Sequence, residues 1–166
     1  FVIKMKIGFQ IDDIHVLNFK TDSTLPIILE SQKRNNKNYY FLPSSLTHKN
    51  NSVYAEIREI YFKDNKIEKY ILGKTQSVCL ESFNYIFIRQ DPPYNMEYIS
   101  SMHLLEQVKG SIRFINHPNG IRNAPEKISM LKFKKIIPPT IITRSKKEVD
   151  SFVKKHGKSV IKPLYG

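Results

Sequence analysis

The sequence predicts an α/β fold: a mainly parallel sheet flanked by helices, with an inserted antiparallel hairpin. Three observations carry this. Residues 4–42 read as strand, helix, strand, and such a crossover implies a parallel pair. The run Tyr85-Ile86-Phe87-Ile88 is short, continuous and apolar, as a strand covered on both faces tends to be. Ser52–Phe62 differs from both: it alternates apolar and polar at period two, the pattern of antiparallel pairing.

In chain order, residues 4–11 form the first strand, with Asp12 and Asp13 at its carboxyl end. Asp22, Ser23 and Thr24 are capping residues for a helix over 24–33, where Leu25, Ile28 and Leu29 share a face. Pro26 is tolerated in its first turn, and Asn35-Asn36 can end it. Residues 39–42 are the second strand. The hairpin strand presents Val53, Ala55, Ile57, Ile60 and Phe62; Asp64-Asn65 turns it and residues 67–72 return, covering or extending the sheet edge. Residues 75–83 lead into the apolar run at 85–88. Pro92 and Pro93 cannot continue a central strand and hold the loop after it extended. Asn95 then caps a helix to about residue 107, with Tyr98, Ile99, Met102 and Leu105 apolar. Gly110 breaks the pattern, residues 113–116 are a short strand, and His117-Pro118-Asn119-Gly120 turns off its end. Pro125 opens a short helix to about Phe133, and Pro138-Pro139 mark a linker, so a domain boundary is expected near 124–139. Beyond it come a strand at 140–143 and a helix over 145–156. Ser145 and Glu148 form the capping box of that helix and Gly157 ends it, before a last strand at 159–162.

The 166 residues suffice for one sizeable core and part of another. The chain begins at Phe1 and stops just past an apparent core strand, so a fragment of a longer protein is expected. Its net charge of +12 is spread over lysines in pairs such as Lys134-Lys135 and Lys146-Lys147, with no Arg-rich tract. Solvated lysines are expected, not a nucleic-acid partner. No apolar run approaches the ~20 residues of a membrane helix, and no membrane association is expected. Nothing at the start reads as a signal peptide. The one cysteine, Cys79, suits a reducing compartment, so the expected location is cytoplasmic.

Several chemistries lack their motifs: there is no phosphate-cradling or dinucleotide glycine loop, no nucleophile elbow, and no histidine pair at metal-ligand spacing. In open α/β sheets, ligands bind outside the carboxyl ends of strands. Arg89 and Asp91 stand at such an end in a Pro-Pro loop and are a candidate site; the same pair also reads as a surface pair or a local cap. Lys127 opens a helix beside the linker, and Lys162 closes an apolar strand. A lysine so placed can hold a phosphate as a point charge, or simply snorkel from a core edge.

Taken together, these pieces carry a resemblance. They are, in order, Lys6-Ile7-Gly8-Phe9-Gln10-Ile11-Asp12; Lys20-Thr21-Asp22-Ser23-Thr24 with Leu29-Glu30 and Gln32; Arg89-Gln90-Asp91-Pro92-Pro93-Tyr94; Leu105-Glu106; Asn116-His117-Pro118 with Ile121-Arg122; Glu126-Lys127; Pro139-Thr140 with Thr143-Arg144; and Ile161-Lys162-Pro163-Leu164-Tyr165-Gly166. The chain resembles the N-terminal half of a bacterial glutathione synthetase, a member of the ATP-grasp ligases. Arg89-x-Asp91-Pro92-Pro93 is the most specific part of the likeness.

The resemblance implies a pre-ATP-grasp domain over residues 1–123, then a linker and the beginning of an ATP-grasp domain over 124–166. It implies that Lys127 and Lys162 contact the ATP phosphates, that Gly166 begins the glycine-rich loop over the nucleotide, and that Asp22, Ser23, Arg89 and Asp91 approach the dipeptide substrate. The implied reaction joins γ-glutamylcysteine to glycine through an acyl-phosphate, with Mg²⁺ bridging the phosphates, in a homo-oligomer, either tetramer or dimer. Asn95 stands where relatives can carry an Asp. The catalytic groups and metal ligands are expected beyond Gly166, so residues 1–166 alone are expected to be inactive; glutathione formation by that segment would contradict this. Two other functions stay open from the residues themselves. One is another ATP-grasp carboxylate–amine ligase, for which Arg89 and Asp91 are not expected; the other is a basic α/β module binding a polyanion, betrayed by steep salt dependence.

Overall fold

The computed structural model describes residues 4–164. Strand β1 (Lys6–Gln10) leads into helix α1 (Thr24–Lys33), and β2 (Lys37–Phe41) returns parallel to β1 with Tyr40 opposite Phe9. The crossover expected from the sequence is therefore present, with the helix at the residues the spacing predicts. Asn35 leaves α1 at φ 62°, the left-handed region that Asn tolerates better than most residues.

Next come β3 (Thr47–Lys49) and β4 (Ser52–Phe62), then β5 (Tyr70–Leu72) and β6 (Gln76–Cys79). Strand β4 pairs antiparallel with β2 through Tyr39↔Glu59 and Tyr40↔Arg58, so it extends the sheet edge. Its first half also pairs with β3 and β6, and its last residues pair with β5 as the sequence predicts. The two additional partners carry little apolar signal: β3 is Thr-His-Lys and exposed, and β6 brings Val78 against the core. The apolar phase of β4 slips between Ile57 and Ile60. Val53, Ala55 and Ile57 face one core, and Ile60 and Phe62 face the other. The slip falls where pairing passes from β6 to β5.

Strand β7 (Tyr85–Ile88) lies parallel to β1, and after helix α2 (Met96–Leu105) the chain forms β8 (Arg113–Ile115), parallel to β7. The path across the sheet is β3-β4-β2-β1-β7-β8. Helix α2 starts as predicted: the Asn95 side chain accepts a hydrogen bond from the Tyr98 amide at 3.0 Å.

Two cores lie on opposite faces of this sheet. On one, Ile7, Phe9 and Ile11 pack with Leu25 and Ile28 of α1. On the other, Ile86 and Ile88 pack with Tyr98, Met102 and Leu105 of α2. Gly8 lies between them in sequence and faces the α2 side. A Cβ there would sit 3.1 Å from Ile86 and 3.3 Å from both Phe41 and Phe83, so any side chain would crowd all three. Gln32 of α1 ties the hairpin down: it accepts from the Phe62 amide at 2.7 Å and donates to the Phe62 carbonyl at 2.9 Å, acting as a surrogate strand neighbour.

Beyond β8 lie α3 (Pro118–Asn123), α4 (Glu126–Ser129) continued by a 3₁₀ turn at Met130–Phe133, and α5 (Lys146–His156). Ser145 accepts from the Glu148 amide at 3.4 Å, and Gly157 leaves α5 at φ 76°, as the capping residues predict. Three expectations fail in this region. The segment from His117 is not a turn but the start of α3, because Pro118 suits the first helical position. Residues 140–143 and 159–162 are not strands. A strand exists through its ladder, and neither segment has a pairing partner among the described residues; Val160 and Ile161 are exposed.

Candidate functional site

Crossovers on this sheet diverge from one point. From β1 the chain passes over one face to β2, and from β7 over the other face to β8. Between β1 and β7 the winding reverses, and open α/β sheets bind ligands at the carboxyl ends of strands at such a switch. A cleft of about 390 Å³ lies there, lined by Asp12, Val16, Leu17, Asn18, Thr21, Asp22, Ser23, Arg89 and Asp91. The four residues expected at the dipeptide therefore share one cavity, although 66 positions separate Ser23 from Arg89.

Each is held by a definable device. The Arg89 amide donates to the Gln10 carbonyl at 2.8 Å, continuing the β7–β1 ladder one residue past the strand and fixing where the side chain leaves. Its guanidinium donates to Ser23 Oγ at 2.6 Å and Thr24 Oγ1 at 3.1 Å, at the entry to α1. Among the described residues it has no carboxylate partner; the ion pairs are Arg34–Glu30, Lys69–Asp64 and Arg122–Glu106. The Asp91 amide donates to Asp12 Oδ2 at 2.9 Å, tying the loop after β7 to the end of β1 and leaving the Asp91 side chain at the cleft. The peptide bond between Pro92 and Pro93 in this loop is cis.

Asp22 serves the helix as well as the cleft. Its Oδ1 accepts from the amides of Thr24 at 2.7 Å and Leu25 at 2.9 Å. Asp22 is thus the side-chain cap of α1, and Ser23 is freed to accept from Arg89. Asp22→Ala is expected to cost about 1 kcal/mol, lowering Tm by roughly 2–4 °C, whereas Asp22→Asn retains the cap oxygen and the stability. An equal loss of Tm in both variants would show that the charge, not the cap bond, supports α1.

The cleft's outer wall, residues 16–21, is pinned by the inserted hairpin. Tyr70 of β5 hydrogen-bonds His15 Nδ1 at 3.0 Å and stacks on Phe19 with centroids 5.5 Å apart. Tyr98 underlies the loop after β7. Burial, more than anything else, pushes its phenol pKa up; Tyr94, Asp12 and Asp91 add to this and Arg89 opposes it. Gln10, fully buried at the end of β1, donates to Gln90 at 3.3 Å while its own Oε1 has no hydrogen-bond partner among the described residues.

Sequence reasoning did not assign Asp12, Thr24 or the 16–21 wall to the site. Asp12 was open to discovery, standing at the carboxyl end of β1. Thr24 and the wall were not, because their place depends on which strands are neighbours.

Lys127, half-buried on α4, donates from Nζ to the Pro163 carbonyl, beside Lys162. The segments carrying the two lysines therefore meet, though Lys162 is exposed and follows no strand. Neither lysine lines the cleft. Gly166 lies outside the described residues. No cluster of three or more His, Cys, Asp or Glu side chains among the described residues could hold a metal ion, and no helix among them is long and apolar enough to cross a membrane.

Comparison with known proteins gives the same outline. Residues 5–122 match the family model for the prokaryotic glutathione synthetase N-terminal domain, and residues 126–166 match that for the prokaryotic glutathione synthetase ATP-grasp domain. Glutathione synthetase of Rhodopseudomonas palustris is 37% identical over 162 residues, 98% of this chain and 52% of the relative. That of Bradyrhizobium diazoefficiens is 35% identical over 164 residues, 99% and 52% respectively, and that of Buchnera aphidicola is 35% identical over 163 residues, 98% and 51%. The chain spans about half the length of the curated relatives it matches. A charged cleft at the winding reversal, built on Arg-x-Asp-Pro-Pro, thus sits in a chain that both of these successive models match, and the chain belongs to the prokaryotic glutathione synthetase family.

Proposed function

We propose that the full-length protein joins γ-glutamylcysteine to glycine with ATP. The observation that carries this reading is the cleft in which Arg89, Ser23, Asp22 and Asp91 converge, with the Arg89 cation bonded, among the described residues, only to neutral hydroxyls. A guanidinium left in that state can take a substrate carboxylate through two parallel hydrogen bonds. Asp91, with its backbone pinned by Asp12, can take a substrate ammonium or orient Arg89.

In the proposed reaction the cysteinyl carboxylate attacks the γ-phosphorus of ATP, forming an acyl-phosphate and releasing ADP. The glycine amine then attacks the acyl carbon; the amide bond forms, phosphate leaves and the ammonium proton is lost. Lys127 and Lys162 would hold the phosphates as point charges and offset the charge that develops on transfer, with Gly166 opening the loop over the nucleotide. Mg²⁺, when bound, would offset charge on the phosphates, and no cluster of three or more His, Cys, Asp or Glu side chains among the described residues would hold it. In this reading residues 1–123 form the substrate-side domain and 124–166 begin the ATP-grasp domain, within a cytoplasmic homo-oligomer, tetramer or dimer.

The test is phosphate release by the full-length protein. Release is expected only when ATP, γ-glutamylcysteine and glycine are all present. Silence with this pair, but release with another acid and amine, would move the assignment to a different carboxylate–amine ligase.

A further inference from the structure

Tyr94 joins two parts of the molecule that the proposed reaction needs to act together. It closes the loop that carries Arg89 and Asp91. Its ring packs on Tyr98, with centroids 5.1 Å apart, and Tyr98 is buried in the core beneath α2. Its hydroxyl reaches away from the loop and donates to the Arg122 carbonyl at 2.7 Å, with a longer contact to the Ile121 carbonyl at 3.3 Å. These carbonyls belong to the last turn of α3, where a helix has no internal donors left for them. A side chain from the cleft loop thus caps the helix that runs directly into Pro125 and Lys127. A second tie holds the same assembly: Arg122 forms a two-pronged ion pair with Glu106 at the end of α2, at 2.9 and 3.3 Å. The loop, α2 and the end of α3 are therefore fixed to one another, and Lys127 continues from there to the Pro163 carbonyl.

We infer that Tyr94 is a positioning residue that couples the cleft to the nucleotide lysine: its hydroxyl holds the junction carrying Lys127 in register with the loop carrying Arg89 and Asp91. This rests on the function proposed above. A dipeptide that draws the loop toward itself shifts the end of α3 through Tyr94, and phosphates that seat Lys127 act back on the loop. Such linkage is reciprocal, so either ligand must tighten the other by the same factor. One neutral hydrogen bond can transmit a factor of roughly three to ten.

The test measures γ-glutamylcysteine binding to the full-length protein by calorimetry, with and without Mg²⁺ and a non-hydrolysable ATP analogue. In the wild type the analogue is expected to tighten dipeptide binding roughly three- to tenfold. In Tyr94→Phe, which keeps the ring on Tyr98 and loses only the hydroxyl, the enhancement is expected to vanish while each ligand alone binds within about twofold of wild type. Tyr61→Phe, the same chemical change on the exposed face of the hairpin, is expected to retain it. Absence of any enhancement in the wild type, or an undiminished one in Tyr94→Phe, would overturn the coupling. Hydrogen exchange of residues 121–127 separates this from failure of the functional reading. If the wild type binds no dipeptide but Tyr94→Phe speeds exchange there, the substrate assignment falls and the tie stands; unchanged exchange overturns the tie whatever the ligand.

Discussion

Replacing Arg89 by alanine in the full-length protein is expected to raise the apparent KM for γ-glutamylcysteine roughly thirty- to a hundredfold and to leave that for ATP within about threefold. The size follows from the state of the guanidinium. Its partners in the cleft are Ser23 Oγ and Thr24 Oγ1, both neutral, so its charge is not already offset by a carboxylate of the described residues. Truncating one side of a buried charged pair costs about 2–5 kcal/mol. Arg89 is exposed at the cleft, which favours the low end, about 2–3 kcal/mol, and each 1.4 kcal/mol is tenfold in affinity. Arg89→Lys keeps the charge and loses the planar fork, so an intermediate KM is expected. The variant also loses two hydrogen bonds to the start of α1, and a small drop in Tm accompanies it. The decisive comparison is between substrates. Equal rises in both KM values would mean that the loop is scaffold and that the carboxylate binds elsewhere.

The sheet's parallel centre was legible because each of its signals is local. The helix at residues 24–33, the apolar run at 85–88 and the cap at Asn95 need only their own neighbours in sequence to be recognised. Strands β3 and β6 were not legible, since the first is exposed and polar, the second is short with two exposed polar residues, and both are ordered by pairing with β4. The reverse error occurred at 140–143 and 159–162, where β-branched residues suit a strand but no ladder is available among the described residues. At the site, Arg89 and Asp91 could be singled out by their place after a buried strand. Their joining with Asp22 and Ser23 could not be read from spacing, because it depends on β1 and β7 being neighbours with helices on opposite faces. Only the family likeness joins those four residues from sequence. The dual place of Asp22 shows why residue type alone misleads: the same carboxylate caps α1 and lines the cleft.

Stability of the site should hinge on Phe9 more than on any residue that lines it. Phe9 is 0% exposed on β1 and stands opposite both Tyr40 and Phe87, stacking on the latter at 5.0 Å with the rings 15° from parallel. Around it pack Leu25 and Ile28, the two buried apolar residues of α1. Hydrogen bonds from Asn38 of β2 to the Ile28 carbonyl and between Gln32 and the Phe62 backbone also tie α1 to the sheet, and the start of the helix supplies the Thr24 and Ser23 oxygens that aim Arg89. Phe9→Ala is expected to cost about 3–5 kcal/mol, lost burial plus the cavity left behind, and to lower Tm by about 10 °C. Phe9→Leu, nearer in volume, should cost about 1.5 kcal/mol. Because the loss falls under α1, dipeptide affinity is expected to decline in Phe9→Ala even at temperatures where the protein stays folded, while ATP affinity holds. A Tm within about 3 °C of wild type would mean that the α1 face of the sheet repacks freely. In that case Arg89 would owe its direction to the β7–β1 ladder at Gln10 and not to the helix beside it.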